Sequence, residues 1–399
     1  MKKILALTAA LGLLCAGTGT ASAAVTWTTA NSTATGDQDN AAVSAVRTGY
    51  TAVVWEDDRD PANPADPVHS DVWIRLFKDG VSRYEKKLSA GGTGDWRHVQ
   101  PDVSLHDDGS AVVVWSEDPD GNGYYNIAVR VVRTDGTIAG SATANASVAG
   151  QQSSPAVAAD PDTAGFAVVW EDEQSATEPT VRVAGFASVT AKTYEAQVHA
   201  AGGAHRRPDV AMGAAGNAVV VWDEDGDGNG FSNVGRKVLT PSGGVKLAQG
   251  VVNASGGGQQ RHASVAANFA GDFVVAWETD HTGTALTGVR SFAADGTAQS
   301  TVDTLVPGLD PQVGIDDQRG VVVTSVVASD VHTQGLNADG SVEGRLPRQA
   351  TDRTTTGRQD EPAIGVDAWG LITVAYTDDN DGNGFDQVYL GTGWQNSGW

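Results

Sequence analysis

Short apolar runs recur along the chain, each opened by a glycine and closed by an aromatic residue. Gly49-Tyr-Thr-Ala-Val-Val-Trp55 is the first, and Gly109-Ser-Ala-Val-Val-Val-Trp115 the second. Three more follow, ending at Trp170, Trp222 and Trp277. A degraded sixth ends at Val326 and a seventh at Tyr376. These end points lie between 49 and 60 residues apart. The runs are too short for helices, rich in valine and bounded by glycine and aspartate, which predicts β-strands. A second short strand precedes most of them, as in Pro101-Asp-Val-Ser-Leu105 and Pro208-Asp-Val-Ala-Met212. Proline suits the first position of a strand, where no ladder donor is needed. A third strand follows each anchor and carries Arg75, Arg130, Arg182, Arg236 or Arg290. It ends in a turn such as Asp79-Gly80 or Asp135-Gly136, whose residues accept the positive φ of a tight hairpin. A more polar fourth strand completes the unit, as in Gly250-Val-Val-Asn-Ala-Ser255.

Seven four-stranded units of about 50 residues describe an all-β chain folded as a seven-bladed β-propeller. The ends of the chain favour a closed ring over an open array. The seventh unit stops after its third strand, near Tyr389-Leu390, and a spare strand, Val25-Thr-Trp-Thr-Thr-Ala-Asn31, stands at the other end. An N-terminal strand that closes the last blade uses every piece. An open array would leave two unpaired edges. The recurrent tryptophans are expected to pack between blades, and the recurrent arginines to pair with acidic residues of neighbouring strands.

Residues 1–23 read as an export signal. Lys2 and Lys3 precede an apolar stretch, and Ala21-Ser22-Ala23 forms a small-residue cleavage site, leaving residues 24–399 as one propeller domain. The chain's single cysteine, Cys15, lies inside that signal, so the mature protein uses no thiol chemistry. A secreted, extracellular location follows, and no apolar run is long enough to span a membrane. The formal charge of −23 becomes −25 once the two lysines leave. Such acidity excludes nucleic acid as the expected partner, because phosphate needs a basic surface.

Three blades share an insertion between the second and third strands: Asp118-Pro-Asp120-Gly-Asn122-Gly123, Asp225-Gly-Asp227-Gly-Asn229-Gly230 and Asp379-Asn-Asp381-Gly-Asn383-Gly384. Tyr124, Phe231 and Phe385 follow them. Oxygen side chains at positions one, three and five before a glycine form the front half of a calcium loop. Position nine holds Asn126, Asn233 and Gln387. The pattern resembles the Asp-x-Asp-x-Asp-Gly-x-x-Asp loops of calcium-binding propellers such as the integrin α-subunit head, with amide in place of carboxylate at positions five and nine. The resemblance implies Ca2+ at these twelve residues; a plain Asp/Asn/Gly hairpin is the alternative. The wider repeat is similar to units of large secreted, adhesin-like bacterial proteins, which implies an extracellular module without naming a ligand.

In a propeller these insertions open on the same face as the connections between blades. Those connections carry Trp96, Arg97 and His98, then His205, Arg206 and Arg207, then Arg261 and His262, then Arg358. They are the candidate ligand-binding residues around the channel, although a histidine there can equally brace the next blade. Nucleophile elbows, phosphate loops and dinucleotide fingerprints are missing from the sequence. The expected function is therefore recognition of a cell-surface glycan or a secreted protein partner. A propeller glycoside or lactone hydrolase or lyase with its centre at the channel mouth is the alternative, and a structural subunit of an extracellular assembly a third reading.

Overall fold

The computed structural model describes residues 25–59, 70–89, 97–174, 178–200, 202–344, 346, 348–351, 358–380 and 382–394. Residues 1–24, on which the expected export signal and Cys15 fall, lie outside them, together with Trp96 and Asp381. The described residues form seven four-stranded antiparallel sheets and no helix. Six of the sheets are continuous in sequence. Blade 1 runs over residues 38–87, blade 2 over 98–143, blade 3 over 151–197, blade 4 over 204–251, blade 5 over 260–306 and blade 6 over 309–350. In blade 7, strands Gln359–Val366, Leu371–Asp378 and Gln387–Trp394 are completed by Thr26–Thr29. That strand pairs antiparallel to the chain's last strand, with Trp27 opposite Gly391 and Thr29 opposite Tyr389. The ring is closed by hydrogen bonds between the two ends of the chain. Among the described residues no helix is long and apolar enough to cross a membrane.

The core is divided into seven layers between adjacent blades, because each sheet buries both faces. The anchor aromatic of one blade packs against the blade before it. Trp115 sits with Val54, Ile74 and Leu76 of blade 1, and Trp222 with Val169, Val183 and Val198 of blade 3. Trp55 packs with Ala375, Val388 and Leu390 across the closure. All five tryptophans and Tyr376 are fully buried. Complete burial of a side chain this large contributes about 2–3 kcal/mol by area alone, so the repeated aromatic is a major part of the layers that contain it, while the layer between blades 5 and 6 is aliphatic.

Three details differ from the sequence reading. The prolines do not open the inner strands; they lie inside them, as in His98–Leu105 and Gln151–Ala159. Each inner strand has a β-bulge at one equivalent place, where two residues oppose the anchor position of the second strand: Asn40-Ala41 opposite Trp55, Gln100-Pro101 opposite Trp115, Arg207-Pro208 opposite Trp222. A bulge lifts the need for a ladder donor, so proline is tolerated there. The fourth strand of blade 4 is Val245–Val251, ahead of the expected 250–255. Arg75 and Arg182 meet carboxylates, Glu85 at 3.7 Å and Glu195 at 3.1 Å. Arg290 instead donates to the carbonyls of Val252 and Ser300, and Arg130 lies over the Trp115 ring.

Candidate functional site at the channel mouth

The seven bulges build the rim of the central channel. The first residue of each is left-handed although none is glycine: Asn40, Gln100, Ser154, Arg207, His262, Asp310 and Glu361, with φ between 49° and 58°. Such a conformation costs of order 1 kcal/mol per residue and needs an external hold. The hold is the residue after the anchor aromatic of the preceding blade. Glu56 accepts the N–H of Gln100 (2.6 Å), Glu171 that of Arg207 (2.7 Å) and Glu278 that of Asp310 (3.0 Å). Blades 2 and 7 have Ser116 and Thr377 at that place. There the left-handed residue's own side chain reaches forward. Gln100 accepts the N–H of Ser154 (2.9 Å) and Glu361 that of Asn40 (2.6 Å). Ser116 donates to the Gln100 side chain (3.2 Å), while Thr377 donates to the neighbouring Asp360 carboxyl (2.8 Å). The acidic half of the Val-Val-Trp-Glu motif is thus an inter-blade clasp that fixes the mouth.

The mouth is electrically divided. Blades 4 and 5 carry basic side chains, each beside an acid: Arg206 with Glu173 (3.3 Å), Arg207 with Asp223 (2.9 Å), and Arg261 and His262 with Glu278 (3.1 and 3.2 Å). Burial opposes the charge on Glu278, but His262, the Asp310 N–H and Arg261 hold its pKa down at about 2. Across the ring, blades 7 and 1 present Asp37, Asp39, Glu56, Asp58, Asp360, Glu361 and Asp386. Burial, then the carboxylates of Glu56, Glu361, Asp37 and Asp58, push Asp39 up to about 8. Burial raises Glu56 to about 7 against the pull of the Gln100 N–H, and raises Asp58 and Asp386 to about 6. At neutral pH this side holds protonated and ionised carboxyls together.

Below the rim lies a cavity of about 410 Å³ lined by Gln100, Ser154, Arg207, His262 and Asp310, with Asp102 and Asp209 beneath. These two aspartates are half-buried in the channel wall. Each accepts its own neighbour's N–H and one from the next blade, Val157 to Asp102 and Val265 to Asp209, both at 2.7 Å. Burial, and then the charge of Asp209, raise Asp102 to about 7; burial raises Asp209 to about 6. The far end of the channel is spanned by Arg47 of blade 1. It reaches Asp107 of blade 2 (2.5 Å) and Asp162 of blade 3 (3.5 Å), and its guanidinium lies 4.5 Å from the centre of the Phe269 ring of blade 5. A ligand therefore meets an open mouth on one face and a bridged one on the other.

Of the residues expected to bind a ligand, Arg207 and His262 line the mouth cavity, and Arg206 and Arg261 flank it at the preceding positions. Arg97 is exposed beside Glu56 and Asp58, and its charge lowers both pKa values. Arg358 is exposed and pairs with Asp360 at 2.6 Å. His98 and His205 are only 4% and 1% exposed. Nδ1 of His98 lies 3.1 Å from the Ser70 carbonyl. His205 is held between the Gly203 carbonyl and Glu224 and stacks on His199 at 3.4 Å. Both brace the blade edge beneath the surface, where a ligand does not reach.

The three insertions project from the same face. In each, position one accepts the N–H groups of its own turn, Asp118 from Gly123 (2.8 Å), Asp225 from Gly230 (3.1 Å) and Asp379 from Gly384 (2.9 Å). Asp120 and Asp227 accept the side-chain amides of Asn122 and Asn229. Asn122, Asn229 and Asn383 accept the N–H of the following aromatic. Position nine is tied to the blade, although Asn233 also borders a cavity shared with the loop residue Asp227. Asn126, Asn233 and Gln387 face the blade and are held by the amides of Asn145, Asn253 and Asn31. The cause is strand geometry: position nine is the first residue of the third strand, and alternation points it inward. The expected calcium ligands among the described residues, which leave out Asp381, therefore do not form one closed set. Each tip offers at most three side chains, short of the six to eight oxygens calcium takes, so the residues present do not fit a protein-built calcium cage. The described residues include no group of three or more His, Cys, Asp or Glu placed to hold a metal.

Sequence reasoning passed over Asp39, Gln100, Asp102, Asp209, Asp310 and Glu361. Gln100, Asp102, Asp209, Asp310 and Glu361 flank the proline that recurs in five of the repeats, which was the available signal; Asp39 lies in blade 1, where Ala41 stands at that place.

No family model matches the chain, and no curated protein matches it. Solved structures do. The GH93 alpha-L-arabinofuranosidase of Fusarium graminearum, in complex with arabinobiose, is similar with a TM-score of 0.53 at 13% identity, over 93% of this chain and 97% of that one. The alpha-L-arabinanase of Penicillium chrysogenum complexed with arabinobiose gives 0.52 at 11%, over 93% and 99%. A PL25 ulvan lyase gives 0.53 at 11%, over 91% and 95%. At these identities the likeness is one of fold: this chain is a seven-bladed β-propeller whose structural neighbours include glycoside hydrolases and polysaccharide lyases.

Proposed function

We propose that this protein is a secreted carbohydrate-active enzyme of the glycoside hydrolase type, with its reaction centre at the channel mouth beside blades 7 and 1. The observation that carries the reading is the half-buried cluster of carboxyls around Asp39, with Glu56, Glu361, Asp37 and Asp58 facing it. A carboxyl raised to about 8 keeps its proton at neutral pH and can give it to a leaving glycosidic oxygen. Asp360 occupies the equivalent place in the adjacent blade, before the bulge, and its carboxylate is paired with Arg358. Two carboxyls at matching positions in different environments suit an acid and a base that activates water. Protonation of the glycosidic oxygen by Asp39 then accompanies attack of that water at the anomeric carbon, its proton passing to Asp360. Arg207 and His262, across the cavity, orient the sugar hydroxyls. The fold shared with arabinan-active enzymes and with an ulvan lyase supports the same substrate class.

The test is a panel of arabinan, xylan, pectin and ulvan, read by new reducing ends for hydrolysis and by ultraviolet absorbance of an unsaturated product for elimination. Hydrolysis of at least one substrate is expected, falling by about 100-fold or more in Asp39→Asn. A blank panel, or an undiminished Asp39→Asn enzyme, overturns the reading; elimination alone replaces it with a lyase.

A further inference from the structure

Three aromatic side chains stand at equivalent places on the loops of blades 2, 4 and 7. Tyr124 and Phe231 are 52% and 54% exposed, and Phe385 is half-buried. All three follow the Asp-x-Asp-Gly-Asn-Gly loops, on the face that carries the mouth. The loops that present them are locked twice. At the tip, the aromatic N–H is held by the loop asparagine at 2.7, 2.7 and 2.8 Å. At the base, the next N–H is held by the following blade: Tyr125 by Gln151 (2.9 Å), Ser232 by Gln259 (3.1 Å) and Asp386 by Asp37 (2.7 Å). The glycines repeat one left-handed pattern, with φ of 67–69° at Gly121, Gly228 and Gly382 and 82–85° at Gly123, Gly230 and Gly384. A braced loop presenting a large ring, built three times, with the ring exposed in two cases and half-exposed in the third, is an apolar surface feature that a fold alone does not call for. Beside the loop of blade 4 lies a polar cavity of about 330 Å³ lined by Glu224, Asp227 and Asn233, which offers acceptors for hydroxyl groups.

We infer that Tyr124, Phe231 and Phe385 are three rim subsites that stack on sugar rings of one polysaccharide chain or of neighbouring chains. The ligand class rests on the proposed function; the placement of the subsites does not. Blades 2, 4 and 7 are separated by two, three and two steps around the ring, so the contacts encircle the mouth. An aromatic face complements the apolar C–H face of a pyranose or furanose, while the Asp and Asn oxygens beside it meet its hydroxyls. Three weak contacts on one rigid body act together on a polymer and raise its local concentration at the mouth.

The experiment is native affinity electrophoresis of the whole protein through gels containing arabinan, xylan or pectin. Retardation by at least one polymer is expected. Each single change to alanine should weaken it about two- to fivefold, and the triple variant about tenfold or more. Because the side chains are exposed, melting temperatures should stay within about 1–2 °C of the parent. Tyr124→Phe and Phe231→Tyr should keep the retardation, since the ring face is retained. Asp39→Asn should be retarded like the parent, which separates this inference from the catalytic one: a retarded but inactive parent overturns only the latter. Absence of retardation by all three polymers, or a triple variant retarded like the parent, overturns the rim subsites.

Discussion

Replacing Asp39 by asparagine should stabilise the protein at pH 8 while removing the proposed hydrolytic activity. In the folded state the carboxyl titrates near 8, against 3.8 for a free aspartate, because it is buried and faces Glu56, Glu361, Asp37 and Asp58. Between these values the folded chain holds a proton that the unfolded chain has released, so stability falls as pH rises through the window. The full difference corresponds to ~6 kcal/mol between the protonation states. Water at the mouth, and sharing of protons among the coupled carboxyls, reduce the part that folding feels to roughly 1–3 kcal/mol. Asparagine is nearly isosteric and carries no charge. Its gain should therefore be close to zero at pH 4, grow through pH 6 and reach its full size at pH 8 and above. Urea unfolding followed by tryptophan fluorescence at pH 4.5, 6 and 8, on the parent and Asp39→Asn, measures this directly. A variant less stable than the parent at pH 8, or a gain that does not change with pH, would refute the electrostatic account of the mouth.

Other consequences are as direct. Glu171→Ala leaves the Arg207 N–H without its acceptor at a left-handed bulge and should cost about 2–3 kcal/mol. Glu171→Gln keeps an acceptor oxygen and should cost less than about 1 kcal/mol; equal losses in denaturant melts would remove the clasp from the explanation. Burial pushes His199 down to about 4 from 6.5. It accepts the Val181 N–H and lies 2.7 Å from the Ala200 carbonyl. Its contribution is complete above pH 6.5 and is lost as pH falls towards 4. An NMR titration should find its ring neutral down to about pH 5, and a midpoint at 6 or above would contradict its environment. Because position nine of each loop faces inward, added calcium or chelator should shift the melting temperature by less than about 1 °C; a rise of several degrees with calcium would show that the tips assemble a site with water-rich coordination.

The ring, its seven blades and its closure were legible in the sequence because they rest on periodicity. Valine runs of strand length, Asp-Gly turns and an aromatic every 49–60 residues are local signals, and burial of Trp115 against blade 1 or Trp222 against blade 3 follows from repeating them. The loops were legible as loops, but not their chemistry. Asn126, Asn233 and Gln387 match a ligand spacing, yet strand alternation turns them to Asn145, Asn253 and Asn31. Linear spacing records distance along the chain and not the direction of a side chain once pairing is set. Trp115 was assigned its place by sequence, while the bulge opposite it, Gln100-Pro101, emerged only from the pairing register. The mouth belongs wholly to tertiary structure. Glu56 and Gln100 lie 44 residues apart and Asn40 and Glu361 321 apart, and only closure of the ring brings the carboxyls of blades 7 and 1 close enough to raise the pKa of Asp39. A pKa depends on through-space distance and exclusion of water, and neither quantity exists until the two ends of the chain share a sheet.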